Sequence, residues 1–138
     1  MGVGDVARNV EIVRGIYAEW ERGNFQAALP LFDPEITFET FMPDASETVV
    51  VHGLDQIESF MRDWFGQWRD FRMTGDEFRP VGKDQVFVAG RQAGAGLHSG
   101  AEVESPGFTV WTFRGGKVVR LLSHYDRGEA LEAVGLRA

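Results

Sequence analysis

The sequence predicts an α+β fold in which N-terminal helices pack on one face of a strongly curved antiparallel or mixed sheet. Two early segments carry apolar residues three or four positions apart, which is the spacing of a helix face. The second half alternates between apolar and polar residues, and short glycine-bearing turns separate the alternating runs. A bent sheet that helices close at one end encloses a cone-shaped pocket, so we expect a ligand site there.

The helices are predicted from apolar spacing and from cap residues. The first runs from an N-cap at Asp5 to a stop at Gly23. Its apolar face consists of Val6, Val10, Val13, Tyr17 and Trp20. A short second helix is limited by Pro30, which lacks the backbone donor of a helix interior. A third helix starts at Leu54, and its apolar stripe reaches Trp68.

The strands are predicted from period-two alternation bounded by turn residues. They cover residues 36–41, 71–81, 85–92, 101–113 and 118–125, and the short apolar run "TVVVHG" precedes the third helix. The turns "VGKDQ" and "RGGK" join neighbouring alternating runs and therefore predict hairpins. The segment "DRGEALEAVGL" predicts a short terminal helix.

Composition narrows the class of function. The chain has 138 residues, which predicts one domain over 1–138, and its net charge of −7 disfavours nucleic acid as a partner. It contains no cysteine, no signal-peptide core and no membrane-length apolar run, so we expect a cytoplasmic protein that binds no membrane. Its histidines, His52, His98 and His124, have no metal-binding spacing, so neither a metal site nor another cofactor is expected.

Several motifs in order along the chain resemble one family. "IYAEWERGNFQAALPLFDPEITFE", "VHGLDQIESFMRDWF", "FTVWTFRGGKVVRL" and "HYDRGEALEAVGL" are similar to the SnoaL-like branch of the nuclear transport factor 2-like superfamily. The resemblance implies a cystatin-like curved sheet, a cone lined by helices and, often, a homodimer. Ketosteroid isomerases, polyketide cyclases, dehydratases, epoxide hydrolases and non-catalytic binders share this fold, so the resemblance does not decide the function.

Glu39 is the candidate catalytic residue. Alternation places Glu39 and Phe41 on the face of their strand opposite Phe38. The resemblance implies that this face looks into the cone, where the isomerases carry a general-base carboxylate at or within one residue of this position. A carboxylate that loses its water against aromatic walls can accept a proton from carbon next to a carbonyl. A rim carboxylate, or one paired with an arginine, is the alternative.

Seven other residues are candidates for the pocket wall: Tyr17, Phe41, Trp64, Thr109, Trp111, Ser123 and Tyr125. The resemblance places the oxyanion donor of the isomerases at Ile16, so Tyr17 is expected to be a phenol at the edge of the pocket. Trp64 is either part of a ligand cage or a helix residue that packs on the sheet. Trp111 would offer a flat wall to a ring.

The resemblance also marks two departures from catalytic relatives. Thr109 lies near the position where the isomerases carry a protonated aspartate and the cyclases a histidine. Ser123 stands where the cyclases and epoxide hydrolases place an aspartate. Neither a threonine nor a serine without an adjacent base can act as an acid or an activated nucleophile near neutral pH. The departure at Ser123 counts against both cyclase and hydrolase chemistry.

The sequence therefore supports two hypotheses from different classes. The first is a protein that binds a small apolar molecule, which we expect to be cyclic. An isomerase- or cyclase-type proton transfer by Glu39 stays open under this hypothesis. The second is a non-catalytic dimeric or partner-binding domain of the same fold. A homodimer through the outer sheet face is expected because Val118 and Leu122 alternate to the side opposite Ser123.

Overall fold

The computed structural model describes residues 3–41, 48–97, 99–124, 126–133 and 135, which form helices on both faces of a six-stranded sheet. The elements in chain order are α1 (Val3–Glu21), a 3-10 helix (Phe25–Leu31), β1 (Phe32–Phe41), β2 (Thr48–His52), α2 (Leu54–Phe65), β3 (Trp68–Val81), β4 (Gln85–Gly96), β5 (Glu102–Arg114), β6 (Lys117–His124) and α3 (Arg127–Ala133). No helix in these ranges has the length and hydropathy to span a membrane.

The sheet is mixed and open, with strand order β2-β1-β6-β5-β4-β3. β1 and β6 run parallel, and every other neighbouring pair is antiparallel. The two predicted hairpins form, and Gly115 and Gly116 in the second turn both adopt positive φ, which glycine accepts without steric cost. The predicted α+β class, with N-terminal helices on the sheet, is confirmed.

The first helix differs from its prediction at one end only. α1 begins at Val3, so Asp5 lies inside the helix and is not its N-cap. The predicted stop holds because Gly23 takes a φ of 87° and its N–H donates to the carbonyl of Trp20. The apolar face of α1 then lies on the sheet, where Val13, Ile16 and Tyr17 are buried.

Three glycines lie side by side across the long hairpin strands: Gly75 of β3 pairs with Gly90 of β4, which pairs with Gly107 of β5. We call these residues the glycine row. The strands approach so closely there that a Cβ added at Gly90 would collide with the carbonyl oxygen of Thr74. A bulge follows in β3 between Gly75 and Glu77, and bulges bend the strand that carries them. The row and the bulge lie where the sheet curves over α1.

The two faces of the sheet belong to two separate clusters of buried residues. The inner cluster joins α1 and α2 to the sheet through residues such as Trp20, Ile57 and Trp111. The outer cluster consists of Phe87, Ala89, Val110, Leu122, Ala130 and Leu131. Because the last two belong to α3, the terminal helix covers part of the outer face.

The orientation predicted for Val118 is wrong. Val118 belongs to the inner cluster, whereas Leu122 belongs to the outer one. The register between β5 and β6 shifts between Thr112 and Phe113, so one strand gains a residue and alternation changes face between Val118 and Arg120. The apolar outer face that motivated a homodimer is therefore smaller than predicted, and α3 covers part of it.

Truncating Leu131 should destabilise the fold because its side chain is 1% exposed between α3 and the sheet. We expect Leu131→Ala to lower the free energy of unfolding by about 2–5 kcal/mol, as for other buried leucines. Leu97→Ala is the matched control, because Leu97 is 47% exposed and its truncation should change stability by no more than about 0.5 kcal/mol. Urea unfolding measures both, and equal effects would contradict the covering role of α3.

The homodimer stays a prediction. It is still supported by exposed apolar surface that α3 does not cover. This surface is chiefly Val50, which is 59% exposed and lies beside Val49 on the edge strand β2. We expect light scattering at high micromolar concentration to give about twice the 15.4 kDa chain mass. A mass of one chain at that concentration would rule out the dimer.

Candidate functional site

A cavity lies between the concave sheet face, α1 and α2. The volume that the centre of a water molecule can occupy inside it is about 80 Å³. Its walls are formed by Trp20, Phe32, Phe38, Thr40, Ile57, Phe60, Met61, Trp64, Phe65, Met73, Gln92, Thr109, Leu121 and Ser123. None of these side chains is ionisable, so the wall that the described residues form is neutral and largely aromatic and aliphatic.

Strand alternation explains which residues reach the cavity. On β1 the cavity-facing residues are Phe38 and Thr40, and on β6 they are Leu121 and Ser123, so each pair is two positions apart. From the other side α2 supplies five wall residues between Ile57 and Phe65, at helical spacing. The sheet therefore contributes the polar groups of the site, and α2 contributes only apolar side chains.

Four polar side chains collect on one side of the cavity: Thr40, Gln92, Thr109 and Ser123. We call them the polar edge. They are neighbours because Ser123 pairs in register with Thr40 on β1 and with Thr109 on β5. The Gln92 amide donates to the Ser105 hydroxyl at 3.2 Å, which leaves the Gln92 carbonyl oxygen as an acceptor.

Behind the polar edge lies a buried hydrogen-bonded cluster of three residues. The Tyr17 hydroxyl lies 2.8 Å from Thr109 Oγ1, and the Trp111 indole N–H donates to the same Oγ1 at 2.8 Å. All three residues are buried. We call this group the hydroxyl cluster, and it ties α1 to the centre of β5.

The hydroxyl cluster has one hydrogen more than its own bonds use. It holds three polar hydrogens, one each on Tyr17, Thr109 and Trp111, and the indole can only donate. The contact between the two hydroxyls uses one hydroxyl hydrogen, whichever residue donates. The other hydroxyl hydrogen is then free for an acceptor, because no further hydrogen bond joins either hydroxyl to a residue in the described part of the chain.

That spare hydrogen faces empty space in both arrangements. If Tyr17 donates to Thr109, the hydrogen is on Thr109, which lines the cavity. If Thr109 donates, the hydrogen is on Tyr17, which lines a side pocket of about 10 Å³ next to the glycine row. Thr109, Gln92 and Ser123 line both spaces, and 10 Å³ is about the room of one water molecule. The arrangement can therefore donate one hydrogen bond to an oxygen at the inner end of the cavity.

The orientation predicted for Glu39 is wrong. Its carboxylate accepts a hydrogen bond from Arg120 at 3.0 Å and is 22% exposed, on the strand face opposite Phe38 and Thr40. The resemblance implied that this face of β1 looks into the cone. In the structure the opposite, more apolar face of β1 packs in the inner cluster. Glu39 is thus the arginine-paired carboxylate that was the alternative, and it has no contact with the cavity.

The other predicted pocket residues divide into three groups. Trp64, Thr109 and Ser123 lie on the cavity wall, and Tyr17 lies on the side pocket. Trp111 is fully buried behind the wall, so it fixes Thr109 and offers no surface to a ligand. The side chain of Phe41 and the whole of Tyr125 lie outside the described residues.

Sequence reasoning missed Thr40 and Gln92 on the polar edge. Alternation puts Thr40 on the same face of β1 as Phe38, and that face is the cavity face. The register between β4 and β5 could have located Gln92, because it places Gln92 opposite Ser105, the residue that precedes Pro106. Among the described residues no group of three or more acidic or histidine side chains converges as a metal site would require.

Tyr17 should make the fold sensitive to alkali, because burial raises the pKa of its phenol from 10.0 to about 12. The raised pKa means that folding favours the protonated phenol, so this contribution is complete below pH 10 and is lost as pH rises towards 12. We expect the wild-type free energy of unfolding to fall between pH 9 and pH 11.5 by on the order of 2 kcal/mol more than that of Tyr17→Phe. Urea unfolding at both pH values measures this difference, and parallel losses would contradict it.

Comparison with known proteins gives the fold relatives. An NTF2-like protein of unknown function from Burkholderia pseudomallei is 23% identical, with a TM-score of 0.73 over 93% of this chain and 98% of that one. A Catenulispora acidiphila protein with a ketosteroid isomerase-like fold, in complex with trimethylamine, is 21% identical, with a TM-score of 0.71 over 91% and 93%. TerC, co-crystallised with polyporic acid, is 22% identical, with a TM-score of 0.72 over 92% and 97%.

These identities establish the fold and not the function. Among curated proteins no significant match was found. The model of the SnoaL-like domain matches residues 13–121, which include α1 from Val13 and every described residue of the cavity wall and the polar edge except Ser123. Because this match spans most of the chain, the protein belongs to the SnoaL-like domain family.

Proposed function

We propose that this protein binds a small, neutral, apolar molecule with one ring and one oxygen acceptor. The observation that supports the proposal is the cavity itself, which has apolar walls, a single polar edge and no ionisable side chain among the described residues that line it. An uncharged site favours an uncharged ligand, because a charged one would lose its water without gaining a partner. Two fold relatives also take small molecules, since one was solved in complex with trimethylamine and TerC was co-crystallised with polyporic acid.

The volume limits the size of the ligand. About 10–15 Å³ of such space holds one water-sized group, so 80 Å³ holds roughly five to eight of them. That is the size of a single six-membered ring with a short substituent, and it is well below the few hundred Å³ of drug-sized sites. The aromatic residues Phe38, Phe60 and Trp64 give such a ring flat neighbours.

The spare hydrogen of the hydroxyl cluster supports the acceptor oxygen. A carbonyl placed against the polar edge would receive a hydrogen bond from Thr109 or, through the side pocket, from Tyr17. Because the raised pKa of Tyr17 keeps its phenol protonated at neutral pH, the cluster keeps its full set of hydrogens. Among the described residues the cavity wall carries no carboxylate or imidazole, which favours binding over proton transfer there, whereas the side pocket is also lined by Arg91 and His124.

The proposal is tested with two probes of the same shape, acetophenone and isopropylbenzene, in which a carbonyl oxygen replaces a methyl group. We expect both to bind, and acetophenone to bind about twofold to tenfold more tightly, because one net hydrogen bond is worth about 0.5–1.5 kcal/mol. Calorimetric titration measures both dissociation constants. Failure of both probes to bind would overturn the proposed function.

Variants of the hydroxyl cluster test the source of the preference. Tyr17→Phe and Thr109→Val each leave one hydroxyl hydrogen, so each should keep part of the preference for acetophenone. The double variant leaves no hydroxyl hydrogen in the cluster, so its preference for acetophenone should be smaller than that of either single variant. Glu39→Gln is the control, since its side chain lies on the opposite strand face and its binding constants should match the wild type. A preference as large in the double variant as in the wild type would remove the hydroxyl cluster from the proposal.

A further inference from the structure

The side pocket owes its space to Gly107. Alternation places Gly107 on the inner face of β5 between Thr109, which lines the cavity, and Ser105, which bonds the cavity residue Gln92. A Cβ added at Gly107 would meet no atom within 4 Å, and its φ is not among the positive ones. The backbone would therefore accept a side chain here. The glycine leaves room at the inner face for about one water-sized group.

The hydroxyl cluster supplies this space with a hydrogen-bond donor. Tyr17 and Thr109 both line the side pocket, and one of their two hydroxyl hydrogens is left over from the contact between them. Ser123 lines the pocket as well, and a serine hydroxyl can donate or accept. An oxygen atom in the side pocket therefore has a donor among its neighbours.

Gln92 supplies the same space with an acceptor. Its amide nitrogen donates to the Ser105 hydroxyl at 3.2 Å, and this bond holds the amide in place on the inner face. No hydrogen bond joins the carbonyl oxygen of Gln92 to a residue in the described part of the chain. Gln92 lines both the cavity and the side pocket. A group that only accepts hydrogen bonds would leave this carbonyl oxygen without a partner.

Two ionisable residues also line the side pocket, but they do not favour a carboxylate there. The Arg91 guanidinium donates to both carboxylate oxygens of Asp76, at 3.0 and 3.3 Å, and its side chain is 54% exposed. Burial lowers the pKa of His124 below its usual 6.5, so its imidazole is neutral at pH 7. Space for one water-sized group also suits one oxygen better than the two of a carboxylate.

We infer that the oxygen of the ligand is a hydroxyl, which accepts a hydrogen bond from the hydroxyl cluster and donates one to the carbonyl oxygen of Gln92. The inference rests on the proposed function and narrows its ligand class to cyclic molecules that carry an alcohol. A ketone in the same place accepts the first bond but cannot donate the second, and a hydrocarbon makes neither. The expected order of affinity is alcohol, ketone, hydrocarbon.

The test adds 1-phenylethanol to acetophenone and isopropylbenzene, because the three share one arrangement of non-hydrogen atoms. Each enantiomer of the alcohol is titrated separately by calorimetry, and the tighter one is compared. We expect it to bind about twofold to tenfold more tightly than acetophenone, the effect of one further net hydrogen bond. Benzoate should bind more weakly than the alcohol.

Two glutamine variants test the acceptor. In Gln92→Met we expect the alcohol to lose its advantage over acetophenone, because a thioether replaces the amide carbonyl. Gln85→Met is the matched control, since the Gln85 amide also donates at 3.2 Å to the hydroxyl opposite it on β5, that of Thr112, and lines neither space. The control should keep the wild-type order of affinities.

Gly107→Ala tests the place of the hydroxyl independently of Gln92. The added methyl group should fill the side pocket, so the alcohol should bind no more tightly than isopropylbenzene, whose own affinity should change by less than about twofold. Gly15→Ala is the control, because Gly15 lies on the exposed side of α1 and has the same open surroundings. Urea unfolding checks that each variant folds.

The outcomes separate the two proposals. Acetophenone or benzoate binding the wild type as tightly as the alcohol would overturn the hydroxyl assignment, while the proposed function would stand because the probes bind. An undiminished advantage of the alcohol in Gln92→Met, or in Gly107→Ala, would also overturn the assignment. Failure of every probe to bind the wild type would overturn the proposed function and this inference with it.

Discussion

The site depends on the bend that the glycine row imposes on the sheet. Gly75, Gly90 and Gly107 stand in register on three adjacent strands, and the close approach at Gly90 leaves no room for a side chain. A flat sheet in this place would present its inner face to α1 along its whole length, and side chains would fill the space between them. Because the sheet curves here, α1 and α2 rest on the two sides of a hollow. The missing side chains of Gly90 and Gly107 also leave the side pocket beside Thr109.

The curved sheet sorts polar groups by face. Charged side chains collect on the outer side, where Glu39 pairs with Arg120 and Glu77 pairs with Arg127 near α3. The inner face carries hydroxyls, an amide and indoles, of which Tyr17, Thr109 and Trp111 bond one another, while the Trp20 indole N–H has no partner among the described residues. Burying an ion on the inner face would cost several kcal/mol unless it were paired, so a core of this composition excludes it. The neutral cavity is a consequence of this sorting.

Much of the fold could be predicted from the sequence, because helices and hairpins leave local signals. The stripe on α1, the turns "VGKDQ" and "RGGK" and the alternation of β4 to β6 each locate an element within a few residues. The face of a strand is harder to predict, since one shifted residue reverses it. Val118 changed face at the register shift between β5 and β6, and the orientation of Glu39 depended on a resemblance to isomerases.

The polar edge could be predicted only in part, because it depends on the register of strands distant in sequence. Thr109 and Ser123 were found by position, but their contact follows from the pairing of β5 with β6, and Thr40 joins them through the parallel pairing of β1. The sequence does contain a signal for the glycine row, although it was not used to predict the row. Counting back from the hairpin turn brings Gly75 opposite Gly90 once one bulge is allowed. A bulge leaves no clear mark in a single sequence, so the bend itself could not be derived.

The selectivity of such a site comes from what it leaves unpaired as much as from what it binds. In the empty protein one hydroxyl hydrogen of the hydroxyl cluster faces the cavity or the side pocket, where water can accept it. A hydrocarbon that displaces this water leaves the hydrogen without a partner, at the cost of a buried unsatisfied donor, while a ligand with an oxygen restores the bond. Under the proposed function the site would therefore disfavour purely apolar molecules, although apolar contact would supply most of the affinity. A wall without charged side chains among its described residues can still discriminate between ligands of equal shape, because one hydroxyl hydrogen of the hydroxyl cluster is left for an acceptor.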